Sequence, residues 1–323
     1  MSENTKKSGG IAQLFKGSNA STITILLIFI IMCLALTIVK PAFTDFTNLM
    51  NVARAFSAYA IAGLGVSMVI MLGGIDISIC AIYGLAGVVA ALAIKGGIPA
   101  FPAILLGLLS GVGCGLFNGL LVVYCKLPPY IATLGTQQIF RGICYITTRG
   151  YPISGLGKEF LWLGQSYLLG IPIAVYAMVI IVILFAIFRN HTTTGRRIFA
   201  LGGGEEAARF SGVRVNLLKF ITYIISGFCA SMCGIILCAR MGSAQGATGA
   251  GYEMDAIASV VIGGSSLSGG EGTVIGTVIG AAIIGVLRNA LVLLSVDSYF
   301  QTLIIGTVII VAVSIDQIRK SKA

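Results

Sequence analysis

The sequence predicts an all-α integral membrane protein of about ten transmembrane helices, with broken or re-entrant segments, in two pseudo-repeated halves. Three observations predict it. Only 10% of the 323 residues are charged, where a soluble domain carries roughly 25%, and the mean hydropathy is +1.00. Several apolar stretches run for the ~20 residues that a helix needs to cross a hydrocarbon core, and none alternates with the period of a barrel strand. A hydrophobic run that meets paired glycines and ends on a serine occurs once in each half.

Residues 1–21 form a cytoplasmic segment with Lys6, Lys7 and Lys16. The apolar run 23–39 is too long for a signal-peptide core and lacks a small-residue cleavage site, so it is a retained first span. An external link, 41–51, leads to a second span over 55–72. That span ends in Gly73-Gly74, which loosen the helix, and Asp76 and Ser78 follow in apolar surroundings. A third, shorter segment covers 80–94. The fourth, 103–124, carries Gly107, Gly111, Gly115 and Gly119 in an every-fourth series, a ridge that lets another helix backbone approach closely.

Lys126 and Pro128-Pro129 mark a turn before the fifth segment, 131–147. Thr133, Thr136, Gln137 and Arg141 give it one polar face. Lipid would cost the arginine several kcal/mol, so it faces protein, water or a carboxylate. Two readings stay open: it lines a permeation route, or it makes a hydrogen-bonded helix contact. The external loop 149–170 holds Trp162, an interfacial anchor, and the sixth span covers 172–188.

The longest polar stretch, 189–219, has six basic residues against Glu205 and Glu206, which places it in the cytoplasm. Gly202, Gly203 and Gly204 read as a flexible turn. Glu205, Glu206, Ala207, Ala208, Arg209 and Phe210 read as a short helix with its acids in the first turn, where the helix dipole favours them. With few apolar neighbours of its own, this helix suits docking to a cytosolic partner.

The seventh span, 217–239, precedes a Gly/Ala/Ser-rich loop, 241–251. The apolar piece 256–262 is too short to cross a bilayer and is either a broken helix or a buried re-entrant segment. The ninth span reaches about 294, with Gly272, Gly276 and Gly280 as a second ridge. The last covers 300–315, and residues 317–323, with Arg319, Lys320 and Lys322, form a cytoplasmic tail. With 22–316 as the membrane domain and a cytoplasmic N-terminus, this threading of the chain puts thirteen basic residues inside and five outside, as the positive-inside rule requires. The formal net charge of +10 is thus a topology signal, not a nucleic-acid footprint. Arg141, Asp255, Glu271 and Arg288 are the candidate intramembrane charges.

The two halves align as 69–78 with 259–268, which pairs Gly73 with Gly263 and Ser78 with Ser268. Transporters place translocation sites at interrupted helices in matching positions of two repeats. Asp76, Ser78, Ser266 and Ser268 are therefore gate or helix-break candidates, and Thr133, Thr136 and Gln137 candidate lining. A buried cap, or an ion pair with Arg141 or Arg288, is the other reading of Asp76.

No GxxxxGK[ST] phosphate loop occurs, so any ATP hydrolysis belongs to another chain. The eight cysteines have neither zinc-site spacing nor a secreted disulfide pattern; Cys229 and Cys233, at helical spacing, could bind metal only with partners that are not nearby. His191 is the sole histidine and lies in the polar stretch, and no nucleophile–base constellation is visible. The chain reads as no enzyme.

GGIDIS at 73–78, ATLGT at 132–136 with Arg141-Gly142, TGRRIFALGG at 194–203, EAARFSGVRV at 206–215, YEMDAIASVVIGGSSLSGGEGTVIGT at 252–277 and Phe300-Gln301 occur in an order that resembles the permease subunits of ribose-type sugar importers of the ABC class. Cys80, Gly204 and Phe300 depart from the pattern, where glycine, asparagine and tryptophan are usual. The resemblance implies a permease in the bacterial plasma (inner) membrane, with both termini cytoplasmic and no cofactor of its own. It implies two cytosolic ATPases that hold ATP and Mg, an extracytoplasmic binding protein that delivers a monosaccharide, and a second permease copy or paralogue. It gives Gly203, Glu205, Glu206, Ala207, Arg209 and Phe210 the role of passing ATPase closure to the spans. A permease of the same broad class for a branched-chain amino acid, nucleoside or signalling sugar is an alternative. An ion-coupled secondary transporter using Asp76, Asp255 and Glu271 is another.

Overall fold

A computed structural model describes residues 18–321. Lys6, Lys7, Lys16 and Lys322 lie outside the described residues, as do the side chains of Arg319 and Lys320. Thirteen helices occur among the described residues: α1 Ser18–Val39, α2 Phe46–Met71, α3 Ile79–Lys95, α4 Ala100–Val123, α5 Pro129–Thr148, α6 Gly157–Gln165, α7 Ile173–His191, α8 Thr193–Gly202, α9 Glu205–Phe210, α10 Val215–Met241, α11 Tyr252–Ile262, α12 Val274–Leu293 and α13 Ser298–Ser321. Among them α1, α2, α4, α7, α10 and α12 are long and apolar enough to cross a membrane, six where the sequence suggested about ten. Of the four remaining elements, α13 counts only as a shorter apolar helix over Ser298–Val311, and the other three have a physical cause. Helix α3 is short because the chain enters it from a break, α5 is diluted by its polar face, and α11 has only 11 residues.

Helix α10 is the central post, packed on α4, α3 and α2. Helix α2 is apolar all round its second half and buried continuously from Ser57 to Met71, as a helix enclosed on every side must be. Helix α1 is the opposite case. Ile28, Ile31, Leu34 and Ile38 are exposed, an apolar surface suited to lipid, and its contact is with α12.

Both glycine ridges are close-packing seams. A Cβ on Gly107 would meet the Ala86 carbonyl of α3, on Gly111 the Gly227 carbonyl of α10, on Gly115 the Tyr223 carbonyl, and on Gly119 the Phe220 ring. Gly276 and Gly280 press likewise on the Gly263 and Ser259 carbonyls at the end of α11. Gly272 precedes α12 and meets Ser265 and Met71 instead.

The stretch 189–219 is not the loop expected from its polarity. Helix α7 continues to His191, and Thr192 caps α8 by accepting from the Gly195 N–H at 3.0 Å. Gly195, Ile198 and Leu201, three residues apart, are buried, while Arg196 and Arg197 share the other side of the helix. A basic outer face hides an apolar inner one. Gly202 is no flexible turn either, being wedged against the Met71 carbonyl and Gly270. The expectation of a short exposed helix fits α9, which buries no residue.

The expected external loop 149–170 is also structured. Helix α6 buries Phe160 and presses Gly164 on the backbone of Ala239 and Arg240, and Trp162 stays exposed. Strand β1 (Ile153–Ser154) pairs with β4 (Ser243–Ala244), and β2 (Tyr167–Leu168) with β3 (Ile171–Pro172), both antiparallel. After β4 the chain re-enters the bundle without a helix, for the Gly246 carbonyl lies against Gly84 and Gly249 against the Tyr83 ring. Only then does α11 begin, so this passage is broken, a run of turns over 246–251 followed by a helix.

Candidate translocation and coupling site

The chain breaks twice in the bundle, and the two breaks have one hydrogen-bond pattern. After α2, the Gly73 N–H donates to the Ile70 carbonyl and the Gly74 N–H to Val69, at 2.8 and 3.0 Å. After α11, the Gly264 N–H donates to Val261 and the Ser265 N–H to Val260, at 2.9 and 3.1 Å. This is the Schellman closure, which requires a left-handed residue, and Gly73 and Gly264 have φ of +73° and +82°. Gly73 therefore corresponds to Gly264, not to Gly263 as the sequence alignment paired them. The next turn restores the register: the Ser78 N–H donates to Asp76 Oδ1 and the Ser268 N–H to Ser266 Oγ, a side-chain turn of the kind Asp and Ser share. The second break simply has one residue fewer between glycine and turn.

The breaks also touch each other. The Gly270 N–H donates to the Met71 carbonyl at 3.0 Å, and Gly202, at the end of α8, sits against both. The end of α8 thus lies against both breaks.

Asp76 is fully buried and pairs with neither Arg141 nor Arg288. Its Oδ1 accepts from the Ser78 N–H at 3.0 Å and the Ser78 hydroxyl at 2.6 Å, and its Oδ2 from the Ser226 hydroxyl of α10 at 2.7 Å. Asn118 of α4 donates to the Ser78 hydroxyl at 2.7 Å. One carboxylate thereby fastens the α2–α3 break to two other helices. The Thr133 hydroxyl brings α5 against the same break, with its one proton shared between the Ile75 carbonyl at 3.0 Å and the Pro129 carbonyl of its own helix start at 2.9 Å, and the Thr136 hydroxyl turns back to the Thr133 carbonyl. Gln137 is half-buried on the same helix.

Arg141 donates from one nitrogen to the carbonyls of Gly246 and Thr248, the latter at 3.2 Å. It has no carboxylate partner among the described residues. These bonds tie the turns after β4 to α5. Lysine carries its charge on a compact ammonium at a different reach from the guanidinium nitrogen, so Arg141→Lys should lose one of the two bonds, about 1.5–3 kcal/mol for a charged donor, and lower solute uptake about tenfold or more. Uptake in vesicles, normalised to protein amount, checks this. Asp255, buried, lies 2.7 Å from Arg288 of α12 in an ion pair. Glu271, expected inside the membrane, sits exposed in the loop joining α11 to α12. The glycine-rich run around it keeps it off either helix. Ser268 is exposed in the same loop and Ser266 is buried.

On α9, Glu205 is held by Arg209 at 3.2 Å and by Lys219 of α10 at 2.7 Å. Gly203, Glu206 and Ala207 are exposed, and Phe210 is 92% exposed. Behind α9 opens a cavity of about 910 Å³. It is lined by the end of α2, the α4–α5 turn, Glu205, Arg209 and the start of α10 as far as Tyr223.

Sequence reasoning missed Ser226, Asn118 and Lys219. The first two carried a signal, since a lone polar residue inside an apolar run of a membrane helix needs a partner. Lys219 carried none, because its contact with Glu205 depends on how the chain folds back between α9 and α10.

Residues 48–313 match the family model described as branched-chain amino acid transport system / permease component. The chain is 41% identical over 295 residues to the ribose import permease protein RbsC of Bacillus subtilis (strain 168), covering 91% of each. It is 36% identical over 283 residues to the D-allose transport system permease protein AlsC of Escherichia coli (strain K12), 86% of each chain. It is 35% identical over 295 residues to the L-arabinose transport system permease protein AraH of the same strain, 91% of this chain and 90% of the relative. No solved structure matches it. With more than half its length matched by that model and relatives this similar over nine-tenths of the chain, the protein belongs to the permease component family of the branched-chain amino acid transport system type.

Proposed function

We propose that the protein is the permease subunit of an ATP-binding-cassette importer and forms the pathway for a monosaccharide. The observation that carries this reading is similarity over about 90% of the chain to permeases named for ribose and arabinose. The family's own description names branched-chain amino acids, which makes those solutes the second reading. Uptake into proteoliposomes holding the full transporter separates the two: labelled ribose, allose or arabinose should enter on ATP hydrolysis, and leucine should not. Uptake that survives ATP removal and collapses with an ion gradient would overturn both and favour a secondary transporter.

The chain crosses the bilayer about ten times from a cytoplasmic N-terminus. The six long helices supply six crossings, α3, α5 and α13 three more, and the broken passage through α11 the tenth. The matching closures after α2 and α11 support two pseudo-repeated halves. Thirteen basic residues against five support a cytoplasmic position for α8 and α9. ATP and Mg are held by a separate ATPase pair, an extracytoplasmic binding protein delivers the sugar, and a second permease copy or paralogue completes the pathway.

In this reading α9 seats in the ATPase with Phe210 as its anchor, and Gly202 carries the ATPase's closure to the two breaks. Asp76, Ser78, Ser266 and Ser268 hold those breaks, and Thr133, Thr136 and Gln137 face the route. Truncating an aromatic anchor costs about 2 kcal/mol, roughly thirtyfold in affinity. Phe210→Ala, or Glu206→Ala with Arg209→Ala, should therefore lower both ATPase recovery in pull-downs and sugar uptake. Unchanged recovery and uptake would remove α9 from the interface.

A further inference from the structure

Helix α10 runs from α9 to the Asp76 break, and one face of it touches both. Lys219, Tyr223 and Ser226 are spaced i, i+4 and i+7 along the helix, so they lie within about 60° of one another around its axis. The first, Lys219, reaches Glu205 of α9 at 2.7 Å. One turn on, the Tyr223 hydroxyl lies beside Gly74 of the break, 3.3 Å from where a Cβ on that glycine would stand. At the next turn the Ser226 hydroxyl donates to Asp76 Oδ2 at 2.7 Å.

The surroundings of this face favour it as a link. Helix α9 rests on α8 and α10, and among the described residues its one ion pair to a spanning helix is that with Lys219. Glu205, Lys219, Tyr223 and Gly74 all line the cavity behind α9, so the tie from α9 toward the end of α2 runs along the cavity wall. On its flanks α10 meets main chain. Gly65 of α2 lies against Ser226 and Cys229, and Gly115 of α4 against Tyr223 and Ile224. A helix clamped in this way moves as a unit, because close-packed interiors transmit strain.

We propose that Lys219 is a positioning residue for energy coupling: it ties α9 to α10, and the face of Lys219, Tyr223 and Ser226 carries the movement of α9 to the Asp76 break. This rests on the reading of α9 as the helix that seats in the ATPase. It adds a second route to the one through Gly202 and α8, and it does not depend on which sugar is imported.

The test uses the whole transporter, with its ATPase and binding protein, in proteoliposomes. Three quantities are read: ATPase recovered in pull-downs, melting temperature, and solute taken up per ATP hydrolysed. Lys219 and Glu205 are both partly exposed, a setting in which one ion pair contributes about twofold to fivefold. Lys219→Met should leave ATPase recovery and melting temperature unchanged and lower uptake per ATP by about that factor. Lys219→Arg, which keeps a charge toward Glu205, should restore it. Ser226→Ala breaks the other end of the same face. On a single route, adding Lys219→Met to Ser226→Ala costs nothing further, whereas independent sites multiply their losses. Unchanged coupling in Lys219→Met, a loss that Lys219→Arg does not restore, a parallel loss of ATPase recovery, or multiplied losses in the double variant would each overturn the proposal. Failure of the importer reading shows in the parent instead, as uptake without ATP or as no ATPase recovered.

Discussion

Gly115→Val should abolish folded protein, while Gly113→Val, two residues away in the same helix, should leave it intact. A Cβ on Gly115 would run into the Tyr223 carbonyl and the Ile224 Cα, whereas one on Gly113 meets nothing within 4 Å. The obstacle at Gly115 is backbone, so no rotamer change relieves it. Helix α10 cannot retreat either, because α2 and α3 pack against it as well. Gly227→Val should fail for the same reason from the other side, since its Cβ would strike the Gly111 carbonyl and Gly115. Overpacking a core typically costs 1–3 kcal/mol, and about 3 or more is expected where main chain meets main chain. The monodisperse peak after detergent extraction and its melting temperature measure the effect. A Gly115→Val variant that behaves like Gly113→Val would mean that the α4–α10 seam is not where the structure places it.

That seam was legible before any coordinates, because four glycines at a period of four can lie on one helix face and nowhere else. The partner was not legible. Nothing in the series names Tyr223 or Gly227, which lie more than 100 residues away and belong to α10. The polar stretch 189–219 shows the opposite failure. Its charge count read correctly as a surface, but Ile198 and Leu201 are too few to register as an apolar face until α7 sets α8 against the bundle. The likeness of the two Gly-Gly segments is visible as letters, but the glycine that takes the left-handed turn is not, because Gly-Gly offers two choices for it. Only the hydrogen bonds of Gly73 and Gly264 decide between them. For Arg141 the sequence leaves open a permeation-route lining or a hydrogen-bonded helix contact, and its acceptors are backbone carbonyls of Gly246 and Thr248, which no side-chain pattern encodes.

Asp76→Ala should cost far more than Asp76→Asn, and the gap between them measures what the carboxylate does. Alanine leaves the Ser78 N–H and two serine hydroxyls without their acceptor in a site where Asp76, Ser78, Asn118 and Ser226 are all buried. Each buried donor left unsatisfied costs about 1–3 kcal/mol, so a loss of roughly 3 kcal/mol or more is expected. Ser226 can turn its hydroxyl elsewhere, but the Ser78 N–H is fixed by the backbone. Asparagine keeps an oxygen where Oδ1 accepts both Ser78 donors, and its amide nitrogen can donate to Ser226 after that hydroxyl rotates. Because no cation pairs with Asp76 among the described residues, the isosteric amide forfeits no ion pair. Asp76→Asn should therefore express, melt within a few degrees of the parent, and retain most of its sugar uptake. Asp76→Ala should lose folded protein and uptake together. Normal folding of Asp76→Asn with uptake abolished would overturn this account, since hydrogen bonding would then be intact and the negative charge itself would be required for passage. The same pair of variants thus separates a fastener of the helix break from a charged gate.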